Sequence, residues 1–454
     1  MRHPRDHCYM STSAPATPAG STPSPHDSST PGSSTPGSAT TAARTGSAHL
    51  SRFVVFLFAI TAGSSAGCLY YLQPLLHEVG DDLGVSTTAA GLIISVTQVG
   101  YLIGLALIVP LGDFVNRRRL VAGLLALSVV ALGIAAASPT YAVLMVMVFA
   151  VGVSASAAQV VVPWAAAVAA PGERGSVVGT VMSGLLIGIL VSRVFSGLVG
   201  QAGGWRTVLV VAAVLQLLMA AAVAWRAPQT AVERPEGITY PQVLRSIWTL
   251  IRAENVLRHR MLLGGLNMAA FSGMWTAIAF LLAGAHGSSY HFSDAAIGLF
   301  GLAGVAGALA APRVGKLADR GYLRHTQYAV WAVLLLGWVL LWLGAHQVIV
   351  LIIALLVFDF GVQGVQIANQ AAVYSLDDQA RSRLTTAYMV AYFAGGVLGS
   401  AAGGWAYQSG GWNLVCAGGA GTAIAGMLLW AWFSISERAH PIQGVDAQAQ
   451  LRAH

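Results

Sequence analysis

One acidic side chain lies in the middle of a long apolar stretch toward the carboxyl end of the chain. Asp359 is about 11 residues into the run 347–374, roughly 17 Å along a helix that rises 1.5 Å per residue. Three glutamines follow at intervals of four, three and four residues, so all four side chains share one helical face. The candidates for contact with a substrate or a proton on this face are Asp359, Gln363, Gln366 and Gln370.

Two interpretations of Asp359 remain open. As a functional group it would carry a proton, being kept neutral by desolvation until water or substrate arrives. As a structural group it would be satisfied permanently by hydrogen bonds between helices, and the glutamines would join helices in the same way.

A single basic residue, Arg193, lies inside the apolar run 176–199. Charged side chains in an apolar core are costly and usually face a cavity or a partner. Arg193 could therefore hold an anionic group of a substrate, or pair with Asp359 in one state. A third alternative is that its long side chain extends to the membrane surface.

The composition requires an apolar solvent for much of the chain. Of its 454 residues, 56% are hydrophobic and 9% are charged, whereas a soluble domain carries about 25% charged residues. A membrane-spanning helix needs about 20 mostly apolar residues, so the chain has room for about a dozen. The sequence therefore predicts an all-α membrane protein.

Several function classes are disfavoured by what the sequence contains. The net charge of +7 comes from small basic clusters between apolar runs, which indicates membrane orientation rather than a nucleic-acid partner. Cys8, Cys68 and Cys416 lie far apart, without metal-ligand spacing. The motifs of metalloproteases, serine hydrolases and ATP-binding loops are missing from the sequence. We expect no enzyme, no metal and no cofactor.

Twelve apolar runs are long enough to span a membrane. Most are separated by short loops, but residues 226–260 form a longer connection that divides the runs into six plus six. The runs are 53–76, 89–110, 120–138, 142–168, 176–199, 207–225, 261–284, 294–312, 328–345, 347–374, 384–406 and 413–434.

The basic residues predict the orientation. Nearly all of the 24 Lys and Arg residues lie in the amino-terminal tail, in alternate loops and after the last run. By the positive-inside rule this places both termini in the cytoplasm, and we expect a multi-pass protein of the bacterial cytoplasmic (inner) membrane.

These patterns give five predicted segments. Residues 1–48, rich in Ser, Thr, Pro and Gly, form a disordered cytoplasmic tail. Helical spacing of apolar residues within 240–260 predicts a helix in the linker, either on the cytoplasmic leaflet or packed on protein. The segments are the tail 1–48, a six-helix bundle 49–225, the linker 226–260, a second six-helix bundle 261–435 and a cytoplasmic tail 436–454.

The two bundles are predicted to be copies of one unit. Gly203-Gly204-Trp205 recurs as Gly410-Gly411-Trp412 at an offset of 207 residues. Leu111-Gly112-Asp113 corresponds to Leu317-Ala318-Asp319 at an offset of 206 residues. Two repeated sequences at nearly the same offset indicate duplication. Secondary transporters use parallel repeats of this kind to build a central site.

Across about residues 53–435 the chain resembles the major facilitator superfamily, particularly its drug:proton antiporter-like and sugar-efflux-like bacterial branch. The family's loop motif after the second span is matched by Leu111, Asp113, Arg117 and Arg118. Its second copy is Gly315-Lys316-Leu317-Ala318-Asp319-Arg320-Gly321, and the first-span sequence from Tyr70 to Leu76 is also similar. Two positions depart from the branch, because Val148 replaces the fourth-span Arg and Ile189 replaces the Pro after Gly188.

The resemblance implies that spans one, four, seven and ten surround a central cavity. Further candidates for the substrate or proton pathway are Gln159, Tyr71, Gln98, Asn267 and Trp275. It also implies a latch between the halves in the outward-facing state, although the same charges could simply orient the loops. The latch candidates are Asp113, Arg117, Arg118, Asp319 and Arg320.

Taken together, the sequence predicts a secondary active transporter of a small organic solute, with proton-coupled efflux. A facilitated uniporter or importer of a metabolite, and a membrane sensor that binds without transporting, remain alternatives. The expected partners are the solute, protons and membrane lipid, and the expected state is a monomer.

Overall fold

The structure is a computed structural model, which describes residues 51–439 apart from 171–172, 230–238, 306, 308–312, 315–316, 318–319, 321 and 378–380. The predicted tail 1–48 lies outside the described residues, as does the carboxyl-terminal tail from residue 440 onward.

All regular secondary structure among the described residues is helical. The α-helices longer than six residues are α1 (Arg52–Gly67), α2 (Leu76–Leu83), α3 (Thr87–Ile103), α4 (Arg117–Ala136), α5 (Tyr141–Ala155), α6 (Ala157–Val168), α7 (Arg174–Arg226), α8 (Tyr240–Ala253), α9 (Asn255–Leu282), α10 (Asp294–Phe300), α11 (Leu323–Leu343), α12 (Val348–Tyr374) and α13 (Arg381–Ala439).

Most of the predicted spans coincide with helices in the described part of the chain. Eight helices in the described part of the chain are long and apolar enough to cross a membrane. Two of them, α7 and α13, are interrupted by non-helical glycines, so each contains two predicted spans. Two shorter apolar helices, Arg52–Gly67 and Asp294–Ala303, fall on the first and eighth predicted spans.

The interruptions in α7 and α13 occur at the two copies of the Gly-Gly-Trp sequence. Gly204 has φ 78° and Gly411 has φ 62°, a backbone region that glycine adopts without steric cost. The following indoles are anchored, because Trp205 Nε1 donates to Asp82 Oδ2 at 3.3 Å and Trp412 Nε1 donates to the Leu341 carbonyl at 2.9 Å. The sequence duplication therefore corresponds to equivalent turns.

The first span differs from its prediction as one continuous helix. The helix α1 ends at Gly67, and a turn leads to a short 3₁₀ segment, Gln73–Leu75. Pro74 lacks a backbone N–H and disfavours helical geometry in the residue before it. Tyr71 therefore lies in the turn beyond the end of α1 and not on a face of that helix.

Glycines bring helices of the same half into backbone contact. A Cβ at Gly188 of α7 would collide with the backbone of Gly63 in α1. In the second half a Cβ at Gly273 of α9 would lie 2.8 Å from the carbonyl oxygen of Gly399 in α13. Small residues allow this close approach of membrane helices, and they do so at corresponding places in both halves.

Helices α3 and α13, and helices α7 and α10, form two of the contacts between the halves. In α3 and α13, the hydroxyls of Ser95 and Ser400 are 2.6 Å apart. Between α7 and α10, a Cβ at Gly298 would lie 2.5 Å from the Arg193 carbonyl oxygen and 3.0 Å from the Gly197 Cα. Side chains larger than hydrogen at Gly298 would therefore hold these two helices apart.

The two ends of the bundle carry different charges. The acidic end holds α2 with Glu78, Asp81 and Asp82, together with Asp294 and Arg206. The opposite end, called the basic end, holds the loops that begin α4 and α7. At the acidic end His77 Nε2 lies 3.3 Å from Asp294 Oδ1, which links the two halves.

Further contacts hold the acidic end in place. Arg206 pairs with Asp82, and the backbone N–H of Trp205 donates to Glu78 Oε1 at 3.2 Å. Burial raises the pKa of Glu78, and the hydrogen bond from Trp205 opposes this effect.

The linker contains the helix α8. Thr239 N–H donates to Gln242 Oε1 at 2.7 Å and so caps its first turn. The Tyr240 hydroxyl donates to the Leu107 carbonyl at 2.6 Å, which joins α8 to the segment after α3. A position of α8 on the cytoplasmic leaflet remains a prediction.

Candidate functional site

Arg193 projects from α7 into the interface between the halves. Its side chain is 3% exposed, and its Nε donates to Gln73 Oε1 at 3.0 Å. The guanidinium therefore lies inside the protein, which rules out the alternative that it extends to the membrane surface. Gln73 reaches it because the chain turns after Gly67 instead of continuing as helix.

Three aromatic rings surround the guanidinium. The Cζ of Arg193 lies 4.9 Å from the ring centroid of Tyr70, 5.5 Å from that of Phe271 and 4.1 Å from that of Trp275. Each such cation–π contact contributes about 0.5–2 kcal/mol, most when desolvated. The rings hold the charge in place, and Nη2 has no hydrogen-bond partner among the described residues.

Asp359 of α12 is the acidic member of the site. It is 2% exposed, and the Trp275 Nε1 donates to its Oδ1 at 3.4 Å. A Cβ at Gly304 would lie 3.9 Å from Oδ2, so the backbone after α10 forms the wall beside this oxygen. Glycine at this position leaves room next to the carboxylate.

Trp275 connects the two charges. Its ring faces Arg193, and its N–H points to Asp359. Among the described residues, no ion pair within 4 Å joins Arg193 to Asp359, yet the two groups interact electrostatically. The pairing of Arg193 with Asp359, one of the alternatives that the sequence leaves open, is thus not direct in this conformation.

A small cavity adjoins Arg193 and Trp275. Gln73 and Pro74 contribute to its wall from the first half, and the remaining lining is mainly apolar. The further lining residues are Ile278, Ala279, Leu282 and Ile297. In this conformation the cavity has room for about one water molecule, so it marks where polar groups meet an apolar wall beside the two residues rather than an open binding pocket.

The glutamine stripe continues from Asp359 toward the basic end. Gln366 Oε1 accepts a hydrogen bond from the Tyr388 hydroxyl at 2.7 Å, which joins α12 to α13. A Cβ at Gly307 would lie 2.5 Å from the Cγ of Gln363, so this side chain faces the segment after α10. Gln363 and Gln370 are partly exposed.

Four other sequence candidates lie away from the Arg193–Trp275–Asp359 centre. Gln98 donates to the Ser272 hydroxyl at 2.8 Å across the halves, and Asn267 donates to the Val362 carbonyl at 3.0 Å within the second half. The other two contact their own half, where Gln159 donates to the Tyr101 hydroxyl at 3.2 Å and the ring of Tyr71 packs 5.6 Å from that of Phe195.

Sequence reasoning missed three residues of the centre, Tyr70, Gln73 and Phe271. Phe271 precedes Trp275 by four residues and so shares its helical face, which was a usable signal. Tyr70 and Gln73 follow the end of α1, and their direction depends on the turn before Pro74. No helical periodicity could have placed them.

In the described structure, the side-chain hydrogen bonds of the latch residues in the first half all remain within that half. Arg117 Nη2 donates to Asp113 Oδ1 at 2.9 Å, and Arg118 donates to the Ala224 carbonyl. Arg320 is exposed, and Asp319 lies outside the described residues. Their role as a latch remains a prediction.

A bundle of apolar helices in two glycine-packed halves, with one buried cation and one buried carboxylate at the interface, is the architecture of a membrane transporter. The sequence model of the Major Facilitator Superfamily matches residues 54–377. The chain belongs to this superfamily, and it is a multi-pass bacterial membrane transporter of the MFS type rather than an enzyme.

Individual proteins agree with this assignment. A putative uncharacterized transporter of Escherichia coli, YgaY, is 44% identical over 382 residues, which cover 84% of this chain and 95% of YgaY. A probable transporter of Streptomyces coelicolor is 35% identical over 376 residues, covering 82% of this chain and 85% of the relative. The crystal structure of the nucleoside transporter NupG has a TM-score of 0.66 at 14% identity, covering 83% and 99% of the two chains, which shows a shared fold.

Proposed function

We propose that the protein is a proton-coupled exporter of a small organic solute, in which Asp359 carries the proton. The observation that carries this proposal is the incomplete coordination of the buried carboxylate. Within the described structure, Oδ2 of Asp359 has no hydrogen-bond partner and Oδ1 has one donor at 3.4 Å.

Two features of the surroundings of Asp359 favour opposite protonation states of its carboxyl group. Burial without a full set of donors disfavours a charged carboxylate, whereas the nearby guanidinium of Arg193 favours it. A group held between two opposing effects can change state when one of them changes. A rearrangement that alters the distance to Arg193 or admits water would load or release the proton.

The proposed orientation places the acidic end in the periplasm and both termini in the cytoplasm, in agreement with the positive-inside pattern. In this arrangement the contacts Ser95–Ser400 and Gly197–Gly298 close the periplasmic side. Rocking of one half against the other would open it. The solute would leave and a proton would enter during one cycle.

The test uses purified protein in liposomes, loaded in turn with a panel of neutral, anionic, cationic and zwitterionic organic compounds under an imposed pH gradient. We expect at least one compound to accumulate against its gradient when protons flow the other way. Asp359→Asn should abolish this accumulation and retain exchange of labelled for unlabelled solute at saturating solute concentration, because exchange needs no net proton movement.

A matched control is Asp82→Asn, which makes the same chemical change at an exposed ion pair and should leave accumulation unchanged. Full gradient-driven accumulation by Asp359→Asn would contradict the proton-carrier role. Accumulation in the direction of proton flow would identify an importer, and equilibration alone a uniporter. Tight binding without flux would identify a sensor.

A further inference from the structure

Two polar atoms of opposite character are left without a partner at the interface of the halves. Arg193 Nη2 is a hydrogen-bond donor, and Asp359 Oδ2 is an acceptor. Neither has a hydrogen-bond partner within the described residues, although both side chains are at least nine-tenths buried. Unsatisfied buried polar atoms of this kind usually await a ligand, an ion or water.

The indole of Trp275 contacts both charged groups, which form no direct ion pair within 4 Å in the described structure. Its ring lies 4.1 Å from Arg193 Cζ, and its N–H holds Asp359 Oδ1. One charge is therefore presented by the first half and the other by the second half, with an aromatic surface beside both. A molecule that carries one negative and one positive group would satisfy the two orphan atoms together.

We propose that the transported solute is a small zwitterion with a carboxylate and an ammonium group, of the kind formed by an apolar amino acid. The carboxylate would bind Arg193 and the ammonium would bind Asp359. Because the cavity between the closed halves is too small for a whole solute, the halves would have to move apart before the apolar part packs on Trp275, Ile278 and Ile297. This inference rests on the proposed function, since it assigns a substrate class to the same site.

The charge balance agrees with exchange against a proton. An ammonium group and a proton compete for the same carboxylate, so that one must leave before the other binds. With the zwitterion bound, the charges of solute, Arg193 and Asp359 sum to zero, whereas the protonated site carries one positive charge. Each cycle that exports one zwitterion and returns with one proton therefore moves one positive charge inward.

Compounds with a single charge fit only half of the site. An amine without a carboxylate leaves Arg193 unmatched, and a carboxylate without an amine leaves Asp359 unmatched. A hydrogen bond to a charged group is strong enough for each loss to weaken binding by about tenfold or more.

The experiment measures binding to the full chain in nanodiscs by titration calorimetry with matched sets on one carbon skeleton. One set is L-leucine, 4-methylpentanoate and 3-methylbutylamine, and equivalent sets are built on L-phenylalanine and glycine. We expect at least one zwitterion to bind about tenfold or more tightly than both of its singly charged analogues.

Two variants test which charged group of the solute binds Arg193 and which binds Asp359. Arg193→Gln should remove the advantage of the zwitterion over the amine, and Asp359→Asn should remove its advantage over the carboxylate. The controls Arg206→Gln and Asp82→Asn make the same changes at the acidic-end ion pair and should keep both advantages. Retention of both advantages in Arg193→Gln and Asp359→Asn would overturn the assignment.

The two proposals fail in distinguishable ways. If no zwitterion binds better than its analogues, while Asp359-dependent accumulation of another compound is driven by the pH gradient, the substrate class is wrong and the proton-coupled exporter stands. If a zwitterion binds with the expected preference but moves independently of the pH gradient in both wild type and Asp359→Asn, the substrate class stands and proton coupling is wrong.

Discussion

Substitution of Gly298 by alanine should shift the protein away from the conformation in which the acidic end is closed. The added methyl would lie 2.5 Å from the Arg193 carbonyl oxygen and 3.0 Å from the Gly197 Cα. Both neighbours are backbone atoms of the opposite half and cannot rotate away. Overpacking of this kind costs about 1–3 kcal/mol, which corresponds to a shift of the closed-to-open ratio by about 5- to 150-fold.

The assay is a distance measurement between spin labels on the two halves. Ala202 and Ser409 are exposed at the equivalent Gly-Gly-Trp turns, and replacing each by Cys, with Cys8→Ser to remove one native thiol, supplies the label sites. Double electron–electron resonance in nanodiscs should show a larger population with long distances between the labels in Gly298→Ala than in wild type.

Two glycine controls separate gating from packing. Gly395→Ala would place a methyl against the backbone of Gly265 within the second half, so we expect a lower melting temperature and unchanged label distances. Gly133→Ala has no neighbour within 4 Å on an exposed helix face, and should stabilise by about 0.5–1 kcal/mol. Unchanged distances in Gly298→Ala, or equal lengthening in Gly395→Ala, would refute the reasoning.

Three further predictions concern other parts of the structure. Ser95→Ala removes the 2.6 Å contact with Ser400 between the halves; at about 0.5–1.5 kcal/mol for such a bond, the same label distances should lengthen, but less than in Gly298→Ala. Burial raises the pKa of Glu78 above its ordinary value of 4.5, so its contribution to stability is fully present below about pH 4.5 and is lost as pH rises through the raised pKa. The melting temperature of Glu78→Gln, measured across pH, should rise relative to that of wild type as pH increases. Cys68 and Cys416 are buried, so N-ethylmaleimide should label them in urea or SDS and only slowly in the folded protein, as measured by mass spectrometry.

Each of these three predictions would be contradicted by a specific result. Unaltered label distances in Ser95→Ala would mean that the contact does not hold the closed state. A pH-independent difference between Glu78→Gln and wild type would mean that Glu78 titrates as in water. Rapid labelling of Cys68 in the folded protein would mean that the interior of the first half is open to solvent.

The sequence predicted the spans because a membrane core imposes a simple requirement of length and apolarity on each helix. It also identified Asp359 and Arg193, since a charge within an apolar run is conspicuous without knowledge of its neighbours. Trp275 was found through the resemblance to a family in which the seventh span faces the cavity. These predictions depend on the regular geometry of straight helices.

The remaining contacts of the centre depend on irregular backbone and on pairing between distant helices. Gln73 binds Arg193 only because the chain leaves helical geometry after Gly67. The spacing from Trp275 indicates which face of α9 carries Phe271, but its contact with Arg193 depends on how the two halves pack. The separation of Arg193 from Asp359 by an indole is a property of three helices, and pairwise spacing in the sequence contains no information about it.

The departure from the family pattern at Val148 can be explained by where the two buried charges lie, one in each half. Val148, which stands where the branch has an arginine, lines an apolar cavity with Cys68, Leu132 and Ile94. A guanidinium at this place would lack an anion. The buried cation that the described structure places at the interface of the halves is instead Arg193, in the helix that directly contacts α10 of the other half.

This placement would couple protonation to conformation. Arg193 is bonded to Gln73 and packed on Tyr70 of its own half, and its contact with Trp275 of the second half would be lost on separation. In the proposed cycle, Arg193 would move with the first half when the halves part at the acidic end, and ionised Asp359 would lose its favourable neighbour. Closure would bring the guanidinium back and again favour release of the proton. A carrier built in this way loads its proton when open to the periplasm and releases it when closed there, which is the sequence of events that proton-driven export requires.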